Sequence, residues 1–180
     1  LIVTADEFID TASSHAEVDV DKLYLSDTSG ALGIHLTGST HLPTGFNTHQ
    51  VTIKLTELQR VTAIAISGTP GGDGGAVVLD CQASAFEDVA NNPTLQQHGI
   101  SVTEIKDTID PNLLSATLNL TDVGHNDEGA SFLRITADET IDTTHVDLTK
   151  LFVVDQTGDS SLALTGAAIL PADGLVFTIV

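Results

Sequence analysis

LIVTADEFID at residues 1–10 and LRITADETID at residues 133–142 are two versions of one segment, with the same residue at seven of ten positions. The match continues when short gaps are allowed. VDVDKLYLSDTSG (18–30) aligns with VDLTKLFVVDQTG (146–158), IHLTG (34–38) with LALTG (162–166), and QVTIK (50–54) with VFTIV (176–180). The separation falls from 132 to 126 residues along the chain, so the sequence predicts an internal repeat of about 130 residues.

The composition indicates an acidic, strand-rich protein. The chain has 25 Asp and Glu against six Lys and Arg, which gives a formal charge of −19. Nucleic-acid partners are excluded, because phosphates are bound by clustered Lys and Arg, and anionic lipid is repelled for the same reason. No run of 18 apolar residues occurs, so we expect no membrane insertion. The single cysteine, Cys81, cannot form an internal disulfide, and we expect a small buried strand residue.

Alternating or β-branched stretches recur along the chain between clusters of Gly, Asp, Asn and Pro, which predicts an all-β fold. We expect an antiparallel β-sandwich of seven strands, A to G, in tandem copies. Strand B is expected at 1–5 and 131–137, C at 19–27 and 147–155, D at 34–38 and 161–166, and E at 49–55 and 175–180. Strand A is expected only at 113–120, F only at 76–82, and G only at 99–105.

One short helix is predicted near 56–66. Thr56 and Gln59 have the spacing of a capping box, and Leu55, Leu58 and Ile64 recur at helical spacing. An extra strand is the alternative for this segment. The following GTPGGDGG (68–75) is predicted to be a turn, because five glycines and a proline interrupt either structure.

These strands predict two domains. Residues 1–106 form a first domain that lacks strand A, and residues 107–180 form a second that holds strands A to E and lacks F and G. An incomplete sandwich exposes strand edges that another piece of chain must pair. Either the chain continues into neighbouring repeats that pair these edges, or copies of this chain donate strands to one another by β-augmentation. The expected partners are therefore copies of this chain or neighbouring repeats.

Three features resemble the bacterial immunoglobulin-like and cadherin-like repeats found in tandem in very large surface adhesins, S-layer proteins and extracellular filaments. The first is the linker Asp107-x-x-Asp110-Pro111, and the second is the acidic end of strand B. The third is the loop 87–92, EDVANN, which is similar to the D-x-A-G-N signature of those domains, with Asn91 in place of Gly. The resemblance implies immunoglobulin-like sandwiches in tandem and an extracellular or cell-surface location.

The acidic segments are the candidate metal ligands. In such a sandwich the linker before strand A, the B to C connection and the F to G connection lie at one pole. The candidates of the second domain are Asp107, Asp110, Asp138, Glu139 and Asp142. Those of the first domain are Asp6, Glu7, Asp10, Glu87, Asp88 and Asn91.

Carboxylates held together in this way repel one another. Two of them about 5 Å apart repel by roughly 3 kcal/mol at an effective dielectric constant near 20. Oxygen-rich clusters of this type suit Ca²⁺, so one interpretation is a Ca²⁺ site that stiffens the joint between domains. The other interpretation is a set of acidic loops that water keeps apart.

Two functions from different classes follow. The first is a structural repeat unit of an extracellular filament or stalk, and the alternative is the stalk or binding module of a cell-surface adhesin. An enzyme is not expected, because the chain has no nucleophile elbow, P-loop or dinucleotide fingerprint. The seven histidines lack metal-ligand spacing and are interpreted as surface residues.

Overall fold

The computed structural model describes residues 1–11, 18–28, 30, 33–43, 46–120, 131–158 and 160–180. The chain divides into two compact units, Leu1–Asp107 and Thr108–Val180. This division lies one residue from the boundary predicted from the sequence. Antiparallel sheets predominate, with one α-helix in the described ranges, so the all-β class is confirmed. Within these ranges no helix has the length and apolar character that crossing a bilayer requires.

Unit 1 contains two antiparallel sheets and the helix. Its elements are β1 (Ile2–Ile9), β2 (Leu23–Ser26), β3 (Ile34–His35), β4 (Thr40–Leu42), β5 (Thr48–Lys54), α1 (Glu57–Ala65), β6 (Val78–Cys81) and β7 (Gln97–Ser101). The first sheet has the order β1-β5-β4, and the second has the order β3-β2-β6-β7. A 3-10 turn, Val20–Lys22, leads into β2.

The core of unit 1 draws side chains from both sheets. Strand β5 contributes Val51 and Ile53, which alternate with exposed or half-buried residues as a strand with one buried face requires. The second sheet contributes Leu23 from β2 and Leu79 and Cys81 from β6. Burial raises the pKa of the Cys81 thiol, against a smaller lowering by a hydrogen bond with Thr94, and so disfavours the reactive thiolate.

The capping box predicted for α1 is present. The main-chain N of Gln59 donates to Thr56 Oγ1 at 3.3 Å, and the main-chain N of Thr56 donates to Gln59 Oε1 at 2.8 Å. The buried face differs from the predicted one, because Leu58 is 77% exposed. Ala63 and the following Ile66 pack against the core instead.

Unit 2 contains a three-stranded sheet and a hairpin. Its strands are β8 (Leu113–Asn119), β9 (Phe132–Ile141), β10 (Phe152–Val154), β11 (Ser161–Ala163) and β12 (Gly174–Ile179). The sheet has the order β12-β9-β8, and β10 pairs with β11. The 3-10 turns Thr143–His145 and Leu148–Lys150 lie between β9 and β10. The buried cluster consists of Ile135, Phe177 and Ile179, with half-buried side chains around it.

The two units pair their repeated segments in the same register. Val3 lies opposite Val51 in unit 1, and Ile135 lies opposite Phe177 in unit 2. Both ladders then shift register before their last pair, which is Ile9 with Thr48 in one and Ile141 with Gly174 in the other. The sequence match aligns these positions, and Thr48 and Gly174 have the same separation of 126 residues as the aligned segments that follow them.

The turn before the second sheet is also built in the same way. The Asp19 carboxylate accepts from Asp21 N at 3.1 Å and lies 3.1 Å from the Lys22 ammonium. In unit 2 the Asp147 carboxylate accepts from Thr149 N at 3.0 Å and lies 3.6 Å from the Lys150 ammonium. Each aspartate caps a 3-10 turn that directs the chain into the next strand.

Strands B and C differ from their predicted bounds in both units. Strand B was expected at 1–5 and 131–137, but β1 continues to Ile9 and β9 to Ile141, so the first acidic residues of each segment lie on the strand itself. Strand C was expected from 19 and 147, but 3-10 turns come first and the strands begin at Leu23 and Phe152.

The other differences concern short strands of unit 1. The segment at 34–38 is only the short β3, and it pairs with β2. A strand that was not predicted, β4, pairs with β5 instead, because three residues are too few for an alternation to be recognised. Strand G was expected at 99–105, but β7 ends at Ser101.

Candidate functional site

The segment after β1 and the loop between β6 and β7, which were predicted to be the B to C and F to G connections, meet at the end of β1. Ile9 forms an antiparallel bridge with Asp88, and Asp10 N donates to the Glu87 carbonyl oxygen at 3.0 Å. Three of the predicted ligands, Asp10, Glu87 and Asp88, are therefore neighbours in the main chain. Asp6 and Glu7 lie earlier on β1 and are exposed.

Asp88 organises the turn that carries Asn91. Its Oδ1 accepts from Ala90 N at 2.8 Å and from Asn92 N at 2.7 Å, and its Oδ2 accepts from Asn92 Nδ2 at 2.7 Å. Asn91 has φ = 64°, a left-handed conformation that Asn adopts more readily than most residues. The side-chain and main-chain donors of Asn92 hold the pKa of Asp88 below its ordinary value.

The predicted ligands of unit 2 are likewise held by local donors. Asp138 on β9 accepts from Asn112 N at 2.8 Å and from Asn112 Nδ2 at 3.0 Å, which fixes the end of the linker beside the strand. Asp142 accepts from Thr144 Oγ1 at 2.6 Å and lies 2.6 Å from His145 Nδ1. These donors lower the pKa of both aspartates, with Asn112 the main cause for Asp138 and Thr144 for Asp142.

The remaining candidates lie apart from a shared cluster. Asp107 belongs to unit 1, where its Oδ2 lies 2.6 Å from Nη1 of Arg60 on α1. Asp110 is exposed in unit 2, and Glu139 is half-buried on β9. The sequence contained no signal for the ion pair between Arg60 and Asp107, because 47 residues separate the two side chains.

Protein donors contact several of these carboxylates. Across the residues that the structure describes, no group of three or more His, Cys, Asp or Glu side chains is arranged to hold a metal ion. These local donors stabilise the ionised carboxylates, which offsets part of the repulsion behind the Ca²⁺ interpretation. Calcium binding stays a prediction, and its test is given in the Discussion.

A different feature of unit 1 has the form of a binding site, namely the outer edge of β1. Leu1 N donates to the Ile53 carbonyl oxygen at 2.9 Å, and Ile53 N donates to the Leu1 carbonyl oxygen at 2.8 Å. Because main-chain groups alternate in direction along a strand, those of Ile2 and Thr4 face away from β5. Among the described residues β5 is the one strand paired with β1, and the bridge to Asp88 covers only Ile9.

A groove of about 980 Å³ runs beside this open edge. Residues 1–6 of the β1 segment form one wall, and residues 100–105 at and after the end of β7 form the other. Ala63 and Ile64 of α1 line it too, together with core side chains such as Val51 and Leu79. The groove therefore combines a free strand edge with an apolar interior.

In unit 2 the corresponding edge of β9 is occupied by β8. Thr117 lies opposite Arg134, Ala116 opposite Ile135, and Leu118 opposite Leu133. Leu114 is the extra residue of a bulge between the pairs made by Leu113 and Ser115. Among the described residues, the repeated strand thus has a paired edge in unit 2 and an open edge in unit 1.

In unit 2 the hairpin β10-β11 has fewer strand partners than the matching strands of unit 1. In unit 1, β2 is flanked by β3 and β6, and Tyr24 is 6% exposed. In unit 2 the described residues pair β10 with β11 alone, and the matched Phe152 is 57% exposed. Further apolar side chains on this hairpin, Val154 and Leu162, are exposed as well.

No protein-family model, curated protein or solved structure matches the chain.

Proposed function

We propose that this chain is a structural repeat segment of an extracellular filament or stalk, built from immunoglobulin-like β-sandwich modules joined in tandem. The modules contribute shape and mechanical continuity, and the chain performs no catalysis. Its partners are copies of itself or neighbouring repeats of the same protein, with strand complementation completing the sandwiches and Ca²⁺ as the cation expected to stiffen them.

The strand order supports the immunoglobulin-like module. An immunoglobulin constant-type domain has the sheets ABED and CFG, and a C′ strand extends the second sheet in variable-type domains. The sheet β1-β5-β4 corresponds to B-E-D, and β3-β2-β6-β7 corresponds to C′-C-F-G. The sheet β12-β9-β8 corresponds to E-B-A, so the described strands of the two units together include every strand of the module.

The observation that carries the proposal is the shared register of the repeated strands. The β1–β5 and β9–β12 ladders match at four pairs, including the pair beyond the register shift. Register is specified residue by residue through the buried face, so two unrelated segments would rarely coincide at every pair. Two copies of one module in a single chain account for this agreement.

The extracellular location rests on the resemblance to surface repeats and on the charge. A net charge of −19 spread over strands and loops keeps long molecules soluble and apart from one another. Specific association must then use uncharged edges and faces.

A second candidate function is the binding module of an adhesin, and one observation supports it. Phe8 on β1 is exposed, and its ring centroid lies 4.1 Å from that of His49 on β5. Exposed aromatic faces are a usual platform for sugars. Replacing Phe8 with Ser should abolish glycan binding in a solution assay if this candidate is right, and should leave filament structure unchanged.

Immunogold electron microscopy of the producing cells tests the leading proposal. Antibodies against residues 1–180 should label fibres or stalks outside the cell. Continuous fibres with an axial repeat would support the filament, and isolated flexible tethers would support the adhesin. Label confined to the cell interior would overturn both.

A further inference from the structure

Strand β8 is poorly covered in its own unit. Leu113 and Leu118 are exposed, although they lie opposite Ala137 and Leu133 on the core side of β9. The described part of unit 2 contains no sheet of the β2–β6–β7 type to cover them. Any site that buries these apolar side chains more completely lowers the free energy of the chain.

The groove of unit 1 offers such a site at the equivalent edge. The sequence match places Leu1, Val3 and Ala5 where unit 2 has Leu133, Ile135 and Ala137. Each of these three β1 side chains lines the groove. A strand added there would face an apolar wall on its other side as well, formed in part by Ile100 and Val102.

The chemistry of β8 fits this groove better than a charged segment would. Residues 112–120, NLLSATLNL, carry no ionisable side chain. The acceptor edge ends in Asp6 and Glu7, so a donor with further carboxylates would be repelled. Ser115 and Thr117 lie opposite Thr136 and Arg134, the positions that match Thr4 and Ile2.

We propose that Leu113–Asn119 of a second copy of this chain leaves β9 of its own unit and pairs antiparallel with the open edge of β1. The exchange replaces the pairs that Ser115 and Thr117 make with Thr136 and Arg134 by equivalent pairs on β1. In this register Leu118 lies opposite Leu1, Ala116 opposite Val3, and Leu113 opposite Ala5. Ser115 and Thr117 exchange main-chain hydrogen bonds with Thr4 and Ile2. The inference rests on the modular function proposed above and names the partner that completes unit 1.

The contact would join unlike surfaces, because the donor strand belongs to unit 2 and the acceptor edge to unit 1. Such a heterologous contact generates open linear assemblies when its rotation does not close a ring. Strand donation therefore provides a route from single chains to a fibre without any further binding surface.

Sedimentation of the full chain over a range of concentrations, with a synthetic peptide of sequence NLLSATLNL as competitor, tests the proposal. Chains should associate as concentration rises, and excess peptide should return them to one-to-one complexes with peptide. Hydrogen exchange of the Ile2 and Thr4 amides should slow by roughly tenfold or more on peptide binding, since both would become hydrogen-bonded.

Two matched controls test the register. A peptide with Pro in place of the residue matching Thr117 loses one edge hydrogen bond and should neither bind nor compete. In the full chain, Thr4→Pro should block acceptance while β1 stays paired with β5, because an edge strand tolerates Pro where its N–H faces solvent. Unchanged protection of the Val51 amide from hydrogen exchange would show that the Thr4→Pro variant is folded. If the variant does not fold, the Pro-containing peptide still tests the register on the unmodified chain.

Three results would overturn the proposal. The first is a chain that stays monomeric and does not bind the peptide, and the second is equal binding of the Pro-containing peptide. The third is protection of Ile2 and Thr4 in dilute monomer, which would place a segment of the same molecule on the edge. Labelled extracellular fibres together with any of these results would leave the filament function standing and remove only the strand exchange.

Discussion

Gln59 is the buried polar residue that ties α1 to the rest of unit 1. Its Oε1 accepts from Thr56 N at 2.8 Å and from Ser39 Oγ at 2.7 Å, and its Nε2 donates to the carbonyl oxygens of His35 and Thr37 at 2.9 Å each. The capping box predicted from Thr56 and Gln59 therefore does more than start a helix. It also fixes the chain that follows β3.

Replacing Gln59 with Ala should lower the free energy of unfolding by about 3 kcal/mol, because the side chain is only 6% exposed and its partners would lose their bonds. Urea denaturation followed by circular dichroism measures the change. Gln96→Ala is the matched control, since Gln96 is exposed, and its effect should stay within about 0.5 kcal/mol. Equal effects of the two variants would contradict this account of the cap.

We expect the stability of unit 1 to depend on pH through Asp88, and the hydrogen-bond donors to its carboxylate determine the sign. Asn92 lowers the pKa of Asp88 in the folded chain, so the unfolded chain binds more protons in acid. Its stabilising contribution is complete above the ordinary carboxyl pKa of about 4 and is lost as pH falls through the lowered value. NMR titration of the Asp88 carboxyl should show a lowered midpoint, which Asn92→Ala should raise. An unchanged midpoint in that variant would refute the assigned cause.

At the scale of the element, the turn after α1 is determined by close main-chain packing. Asp73 N donates to the Ala65 carbonyl oxygen at 3.1 Å, and Gly74 N donates to the Ser67 carbonyl oxygen at 3.1 Å. A Cβ at Gly72 would lie 2.0 Å from that same Ser67 oxygen. The glycine-rich turn predicted from the sequence thus needs Gly72 for space.

Gly72→Ala should destabilise unit 1 by about 2 kcal/mol or more, because the main chain must move to relieve the overlap. Thermal unfolding of the variant measures this loss. Gly74→Asn is the control: Gly74 has φ = 90° with no neighbouring atom within 4 Å, so the cost there is conformational only. A larger loss in the control than in Gly72→Ala would show that the steric argument is wrong.

At the scale of the whole molecule, the two units share one strand pattern, but the apolar core is larger in the described part of unit 1 than in that of unit 2. Unit 1 has two sheets and a helix around its core, whereas the described core of unit 2 is the cluster around Ile135, Phe177 and Ile179. Apolar burial is the main stabilising term in folding. Unit 2 should therefore be the less stable of the two.

Hydrogen exchange at matched positions tests this difference. Val51 and Phe177 occupy the same place in their ladders, opposite Val3 and Ile135. The Phe177 amide should exchange faster than that of Val51 in dilute chain, because local opening of unit 2 is less costly. Equal protection of the two amides would mean that unit 2 is completed in solution.

Calcium is also a question for the whole molecule, since the candidate ligands lie in both units. If Ca²⁺ binds as extracellular modules bind it, the melting temperature in millimolar Ca²⁺ should exceed that in excess chelator by several degrees. The double variant Asp10→Asn and Glu87→Gln should reduce the shift, and Mg²⁺ should not reproduce it. Superimposed melting curves would remove calcium from the proposed function.

The features predicted correctly are those with strong local signals. The capping box of α1 depends on Thr56 and Gln59 alone, and strands β8 and β12 follow from short apolar alternations. The exposure of Leu58 and the pairing of β3 with β2 were not predictable, because both depend on distant partners. The same holds for the ion pair between Arg60 and Asp107.

The sequence by itself determined the repeat, the strand-rich class, the helix start and the acidic surface, because each depends on residues that are neighbours or on composition. Only the tertiary structure decided which strands are partners, which carboxylates are satisfied by Asn112 or Asn92, and which strand edge has no partner in the described part of the chain. Those properties depend on groups brought together from distant parts of the chain. The open edge of β1 is visible only when the pairing of Leu1 with Ile53 fixes which way its main-chain groups point.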